Sequence, residues 1–339
     1  MARIGLVINP EAGRDIRRLT GGASVVDNHA KRRVAACLLD GLTVLDEPPT
    51  VSILPDRAGI AAGVVEDASD DLAVDLLECP VDGSAADTRR AAARFRETAD
   101  VMVVLGGDGT TRDAALECGD TPLLAVSTGT NNVVPTPVDG TVAGAAAAVV
   151  ATGVVATDPV TRRHGTVEAR AETPAGVERL TGLASVEVSD RSFVGTRALI
   201  DPADLVGGVV SRAHPTEIGL SGVAGCLDPL DSGAPGGAAL HLCDPGEASR
   251  SVRAVVAPGV TATVGIDSHR GLAVGDPARF TVPDGVVGAD GERELELVDA
   301  TVEITPLDDG PRLVDVHEAL DRAARAGVLS RGLSPDTTR

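Results

Sequence analysis

The chain is expected to fold as an α/β first domain on a parallel sheet, followed by a β-rich, sandwich-like second domain. Up to about Asp158, short apolar runs alternate with helical stretches, the pattern of βα units around a parallel sheet. From there to about Thr305, short β-prone runs alternate with Gly, Pro and Asp turns, as in a sandwich or folded sheet. At 339 residues the chain also exceeds one ordinary core and suits two. The expected division is 1–157 and 158–313, with a helical segment, 314–330, returning to pack on the first domain.

The first-domain strands are expected at Ile4–Ile8, Val51–Leu54, Ala73–Leu77, Val101–Leu105 and Leu123–Val126, short runs of the kind that a parallel sheet buries. Helix-forming stretches with apolar periodicity lie between them, at Val26–Leu42, Ala58–Glu66, Ala85–Thr98 and Thr111–Cys118. The uncharged stretch Gly140–Thr157 is rich in Ala and Gly and is only marginally long enough to span a bilayer, so a tightly packed helix followed by a turn is expected. Second-domain strands are expected at Leu183–Val188, Val252–Val256, Ala262–Ile266, Arg279–Val282 and Leu295–Leu297. Gly207–Gly237 is dense in glycine and suggests long functional loops rather than core, and His269–Arg270 suggests a hairpin tip. Val314–Val328 is helical again, with Val316, Leu320, Ala323, Ala324 and Gly327 on one face.

Composition narrows the function classes. With 50 acidic against 30 basic residues the net charge is −20, and Lys31 is the only lysine. Counterion release on a nucleic acid needs clustered Lys or Arg, which this acidic balance disfavours, and with aromatics at 1% of the chain the stacking platforms are missing, so nucleic-acid binding is not expected. Such an acidic, lysine-poor surface suits a salt-rich cytosol, where short Debye lengths screen self-repulsion; a GC-rich genome that favours Arg, Ala, Gly and Val codons produces the same bias. The five cysteines are scattered, with no ligand spacing, and suggest buried free thiols in a reducing cytoplasm. The N-terminal apolar run suits a first strand rather than a secretory signal. A cytoplasmic protein, without membrane or nucleic-acid partners and forming a homo-oligomer, is expected.

The most informative stretch is VMVVLGGDGTTRDAA, a buried strand followed by Gly106, Gly107, Asp108, Gly109, Thr110 and Thr111 ahead of a helix. Glycines there let backbone N–H groups approach a phosphate chain, and a helix start adds partial positive charge. Thr110 or Thr111 is the expected N-cap. A carboxylate beside phosphates is repelled unless it meets a hydroxyl proton or a divalent cation, so Asp108 suits phosphoryl transfer to an alcohol. It would orient or deprotonate the acceptor hydroxyl, or hold Mg²⁺ through water. A lone glycine cluster is equally what a tight strand-to-helix turn needs, but two further loops open on the same sheet edge. One is Ser127-Thr128-Gly129-Thr130-Asn131-Asn132, whose hydroxyls and amides bind phosphate or ribose without adding charge. The other carries Asn9, Gly13 and Arg14, the last beginning a basic trio with Arg17 and Arg18.

These motifs resemble the NAD kinase, diacylglycerol kinase and phosphofructokinase superfamily. More closely, the chain is similar to the AcoX-like (acetoin-catabolism) branch of ATP-NAD kinases. The likeness runs through residues 5–19, 22–31, 55–63, 103–110, 127–135, 191–199, 217–225 and 309–316, nearly the whole chain. It implies a Rossmann-like domain binding the donor ATP (or polyphosphate) with Mg²⁺, and a β-rich domain helping to bind the acceptor, in an NAD kinase-like two-domain architecture. The acceptor it implies is NAD, phosphorylated at the 2′-hydroxyl; a lipid or polyol kinase and a non-catalytic nucleotide-binding regulator are the alternatives. Carried over by match, Gly106, Gly107 and Gly109 position phosphates, Asp108 is catalytic, and Asn131 and Asn132 lie near the acceptor or its phosphates. Two departures bear on the acceptor. No Asn-Glu pair of the NAD kinase kind stands in the second domain, and GLSGVAG, which holds Ser221, only loosely matches the Gly/Ser/Thr-rich loop of that family.

Other residues carry two readings. Lys31 stands where arginine serves elsewhere, which suits either a compact ammonium on phosphate or substrate, or a solvated helix face. Arg191 and Arg197 flank Phe193 and could grip an anionic acceptor, or be surface strand charges. His214 and Glu217 could form an acid/base pair at the domain cleft, or cap a loop. No residue is assigned as a direct metal ligand.

Overall fold

The computed structural model describes residues 1–12, 26–128, 132–191, 202–231 and 233–330. The chain opens with β1 (Arg3–Ile8), α1 (Asn28–Leu42), β2 (Thr50–Ile53), α2 (Ile60–Asp67), β3 (Val74–Leu76), α3 (Ala85–Thr98), β4 (Val101–Gly106), α4 (Asp108–Ala115), β5 (Leu123–Ser127) and α5 (Gly140–Ala151). Carboxylate and hydroxyl caps start several of these helices: Asp27 accepts from the Ala30 N–H, Asp56 from Ile60 and Ala61, and Asp139 from Thr141. Every residue of β4 is buried, as the centre of a sheet covered on both faces requires.

The uncharged helix α5 is explained by contact with α1. A Cβ added at Gly144 would lie 2.0 Å from the Leu38 carbonyl oxygen, and one at Gly41 2.1 Å from the Thr141 oxygen, so the two backbones touch where side chains would keep them apart. Among the described residues no helix is long and apolar enough to cross a membrane.

A short strand, β6 (Thr161–Arg163), precedes the second domain, which contains β7 (Thr166–Thr173), β8 (Gly176–Gly182), β9 (Ser185–Ser189), β10 (Leu205–Val210), α6 (Gly219–Gly225), β11 (Gly237–Cys243), β12 (Arg250–Ala257), β13 (Val260–Leu272), β14 (Ala278–Ala289) and β15 (Glu292–Leu307). The chain then ends its described course in β16 (Arg312–Val314) and α7 (Val316–Arg325). The first sheet has the order β3-β2-β1-β4-β5-β16-β6, parallel except for β6. The second is one antiparallel sheet of nine strands, β12-β13-β11-β10-β9-β14-β15-β7-β8, whose core residues include Val167, Val188, Val209, Phe280 and Val302. The chain thus leaves the first sheet after Arg163 and re-enters it at Arg312.

Several local expectations change. Gly207–Gly237 is not loop alone: β10 runs through the middle of the second sheet, and Val209, Val210, Leu220, Val223 and Ala224 are buried. His269 and Arg270 lie inside β13, paired with Leu240 and Ala239 of β11, rather than at a hairpin tip. In α7, Ala319 joins Val316 and Ala323 in the first-domain core, whereas Ala324 and Gly327 are exposed. Of the cysteines, all free, Cys118 is buried, Cys226 is exposed and the others are intermediate. Burial pushes the Cys118 thiol up to about 11.

Candidate functional site

The order of the first sheet creates the site. From β1 the chain runs outward to β2 and β3, then returns across β1 to β4, so a crevice opens beyond the carboxyl ends of β1 and β4. Asn9, the first residue after β1, spans that crevice. Its N–H donates to the Leu105 carbonyl at 3.1 Å, its Nδ2 donates to Thr110 Oγ1 at 2.6 Å, and its Oδ1 accepts from the Glu11 N–H at 2.9 Å. An amide that donates and accepts at once can do this; a carboxylate cannot.

Helix α4 starts at Asp108, three residues before Thr111, and its N-cap is Gly107 rather than Thr110 or Thr111. Gly109 and Thr110 therefore sit in the first helical turn. Space explains the glycines on either side of the start. A Cβ on Gly106 would come within 2.8 Å of Thr110 Cβ, and one on Gly107 within 3.0 Å of Asn132 Oδ1. A Cβ on Gly109 would lie 3.1 Å from a Glu292 carboxylate oxygen, so a second-domain side chain presses on this turn.

The Asp108 carboxylate is buried and accepts from the Val133 N–H (2.9 Å to Oδ2) and the Val134 N–H (2.8 Å to Oδ1). Two consecutive backbone donors of the loop after β5 thus hold it at the crevice. In the same loop Asn132 Nδ2 donates to Ser127 Oγ at 2.6 Å. Thr128 is buried, its N–H bonded to the Gly106 carbonyl and its hydroxyl without a hydrogen-bond partner among the described residues. The structure therefore brings together Asn9, Gly106, Gly107, Asp108, Gly109, Thr110, Thr128 and Asn132. Gly13, Arg14, Arg17, Arg18, Gly129, Thr130, Asn131, Phe193 and Arg197 lie outside the described residues.

Lys31 is fully buried, not on a solvated face. Its ammonium donates to the Pro10 carbonyl and, at 3.2 Å, to Asn28 Oδ1, so it supports the loop after β1 from beneath. Arg191 is exposed and pairs with Asp204 at 2.9 Å. Ser221 lies in α6, buried, its hydroxyl without a partner among the described residues. The His214–Glu217 pairing does not form: His214 Nδ1 bonds Thr216 Oγ1 at 2.7 Å, while Glu217 pairs with Arg212 at 2.6 Å. Burial raises the Glu217 pKa despite that arginine.

Sequence reasoning missed the domain junction. Arg112, one turn beyond Asp108, is buried; it donates to the Ala289 carbonyl at 2.8 Å and to Glu294, with Asp290 3.8 Å away. Burial alone would weaken the cation, but Asp290, Glu294 and Glu292 overcome it and hold the Arg112 pKa above its ordinary value. Asp290 and Gly291 have φ of 53° and 79° and turn β14 into β15; this Asp-Gly pair was the available signal. Among the described residues, no group of three or more His, Cys, Asp or Glu could hold a metal ion.

Residues 4–154 match the ATP-NAD kinase N-terminal domain model, and residues 165–309 the acetoin catabolism protein X C-terminal domain model. The chain is 34% identical, over 338 residues, to acetoin catabolism protein X of Cupriavidus necator, an alignment covering 96% of this chain and 93% of that protein. It belongs to the acetoin catabolism protein X family. Among solved structures, yeast NADH kinase complexed with NADH is 13% identical, with 99% of this chain and 90% of that one covered and a TM-score of 0.48. A putative diacylglycerol kinase from Bacillus anthracis is also 13% identical, covering 92% and 97%, with a TM-score of 0.45. For this member of the acetoin catabolism protein X family, the first-domain match supports a kinase of the NAD kinase superfamily.

Proposed function

We propose that the protein transfers a phosphoryl group from ATP, or from polyphosphate, to a hydroxyl, and that this hydroxyl is the 2′-OH of NAD. The observation that carries the reading is the Asp108 carboxylate, held by two backbone N–H groups at the start of a glycine-capped helix in the sheet crevice. Phosphate oxygens would lie along Gly106, Gly107 and Gly109, which have no side chain of their own to stand in the way, with Asn9, Thr110, Thr128 and Asn132 supplying neutral polar groups. Asp108 takes the acceptor proton as the new O–P bond forms and the donor's bridging oxygen departs with the remaining phosphates. Magnesium bound with the donor neutralises phosphate charge. A carboxylate already accepting backbone N–H bonds suits contact with such an ion through water, so Asp108 is also the residue that would hold it.

The test is to incubate the protein with Mg-ATP and NAD in high-salt buffer and measure NADP and ADP, for wild type and Asp108→Asn. NADP formed by wild type and lost in the variant supports the proposal; undiminished turnover in the variant removes Asp108 from the chemistry. A second reading, a different alcohol acceptor, is favoured by one observation: the second domain matches the acetoin catabolism protein X model. ADP formed only with another alcohol selects it, and ATP binding without turnover on any acceptor overturns the reaction class.

A further inference from the structure

We propose that Arg112 is a positioning residue: paired with Asp290, it locks the β14–β15 turn of the second domain to α4 and thereby sets the loop that orients Asp108. The inference rests on the proposed role of Asp108 and concerns how the two domains share control of that group.

The contacts close into a ring. Asp108 and Arg112 are four residues apart on one helix and so project from the same face, about 6 Å apart along its axis. At the first station, Asp108 accepts the N–H groups of Val133 and Val134. Val134 packs with Leu183 and Ala184 in a small buried cluster, against which Ala115, at the end of the same helix, is also packed. The backbone N–H groups of Leu183, Ala184 and Ser185 all donate to the Asp290 carboxylate, at 3.1, 2.7 and 3.1 Å. Asp290 faces Arg112, and Arg112 returns the path to α4.

The links at the Val134 N–H, at Arg112 and at Asp290 are buried. Asp290 is 9% exposed and takes up the positive φ that an Asp-Gly hairpin turn uses, so the turn itself presents its carboxylate to the Leu183, Ala184 and Ser185 N–H groups. Arg112 is 4% exposed and uses separate arms of its fork, Nη1 for the Ala289 carbonyl and Nη2 for Glu294. A lysine ammonium could replace the charge but not both arms. Seating the second domain on α4 and fixing the N–H pair that holds Asp108 are then a single event, and separation of the domains would release the carboxylate.

The experiment compares wild type with Arg112→Lys, Asp290→Asn and the milder Glu294→Gln, by amide hydrogen exchange and by kinetics with Mg-ATP and the acceptor that supports turnover. Arg112→Lys and Asp290→Asn should speed exchange at Val133 and Val134 by about tenfold or more, with the amides of β4 keeping wild-type protection. They should lower kcat about tenfold while leaving KM for ATP within about twofold, and the double variant should be little worse than either single one, because both cut the same path. Glu294→Gln, which leaves Asp290 in place, should show the same local exchange to a smaller degree and carries the test if the stronger variants do not fold. Unchanged exchange at Val133 and Val134 overturns the proposal. So does faster exchange spread evenly over both domains, which would make Arg112 a simple staple. Because exchange is read without turnover, a failure of Asp108 as the base, seen as an active Asp108→Asn, is distinguishable from a failure of the ring.

Discussion

Replacing Lys31 by methionine removes an ammonium while keeping an unbranched stem of similar length. In the native protein that ammonium, fully buried, donates to the Pro10 carbonyl and to Asn28 Oδ1. A hydrogen bond from a charged donor contributes about 1.5–3 kcal/mol, and a buried carbonyl left without its partner costs about 1–3 kcal/mol. These figures describe overlapping effects, and the lost burial cost of the ammonium offsets part of them, so a net loss of about 3 kcal/mol is expected. For a domain of this size each kcal/mol lowers Tm by about 2–4 °C, giving a fall of about 9 °C. A solvated helix face would give less than about 0.5 kcal/mol. Lys31→Arg adds atoms where nothing is exposed and should cost about 1–3 kcal/mol through overpacking. The assay is thermal unfolding followed by circular dichroism in high salt, with KM for ATP measured alongside, since the released loop carries Asn9. Melting of both variants within about 2 °C of wild type would refute the reasoning and return Lys31 to a leftover of composition.

Gly144→Ala should be among the most damaging single-methyl additions in the first domain: its Cβ would sit 2.0 Å from the Leu38 oxygen, so α1 and α5 must part, at about 3 kcal/mol in urea unfolding. Gly271→Ala, where nothing lies within 4 Å, is the matched control and should be close to neutral. His164, fully buried where the chain passes between the sheets, has its pKa lowered from 6.5 to about 4 by burial. Unfolding therefore takes up a proton between those values, so its effect is absent above pH 6.5 and grows as pH falls to about 4, reaching about 3 kcal/mol of destabilisation. His164→Gln should flatten that part of the stability–pH curve, and an unchanged slope by denaturant titration would contradict the assignment. Gly106→Ala must displace Thr110 and its bond to Asn9, and should lower kcat/KM by about a hundredfold, read in the NADP-forming assay or with whichever acceptor turns over.

The first sheet was legible because strands such as β4, buried on both faces, leave unbroken apolar runs, and because Ala85–Thr98 carries both its serine cap and its periodicity. The start of α4 was not, since a glycine cap has no side chain to announce it. In the second domain β15 buries alternate residues along Glu292–Leu307, and polar residues among the others, such as Glu296, Asp299 and Thr301, break its apolar run, so only Leu295–Leu297 stood out. Periodicity likewise could not place Lys31, whose burial follows from a carbonyl on another element. The Arg112–Asp290 pair lay furthest from view, because each residue alone looks like a surface charge on a short helix or a turn, and only the meeting of two domains buries both. Lys31 and the Arg112–Asp290 pair are thus hidden for one reason: they are polar groups whose partner belongs to a different element. Among the described residues the two buried Lys and Arg side chains are of this kind, Lys31 under the loop after β1 and Arg112 behind Asp108. The positive charge of this protein is therefore placed in part to hold its candidate site in shape, and on the proposed function the phosphates would be met chiefly by backbone N–H groups and by the metal ion they bring with them.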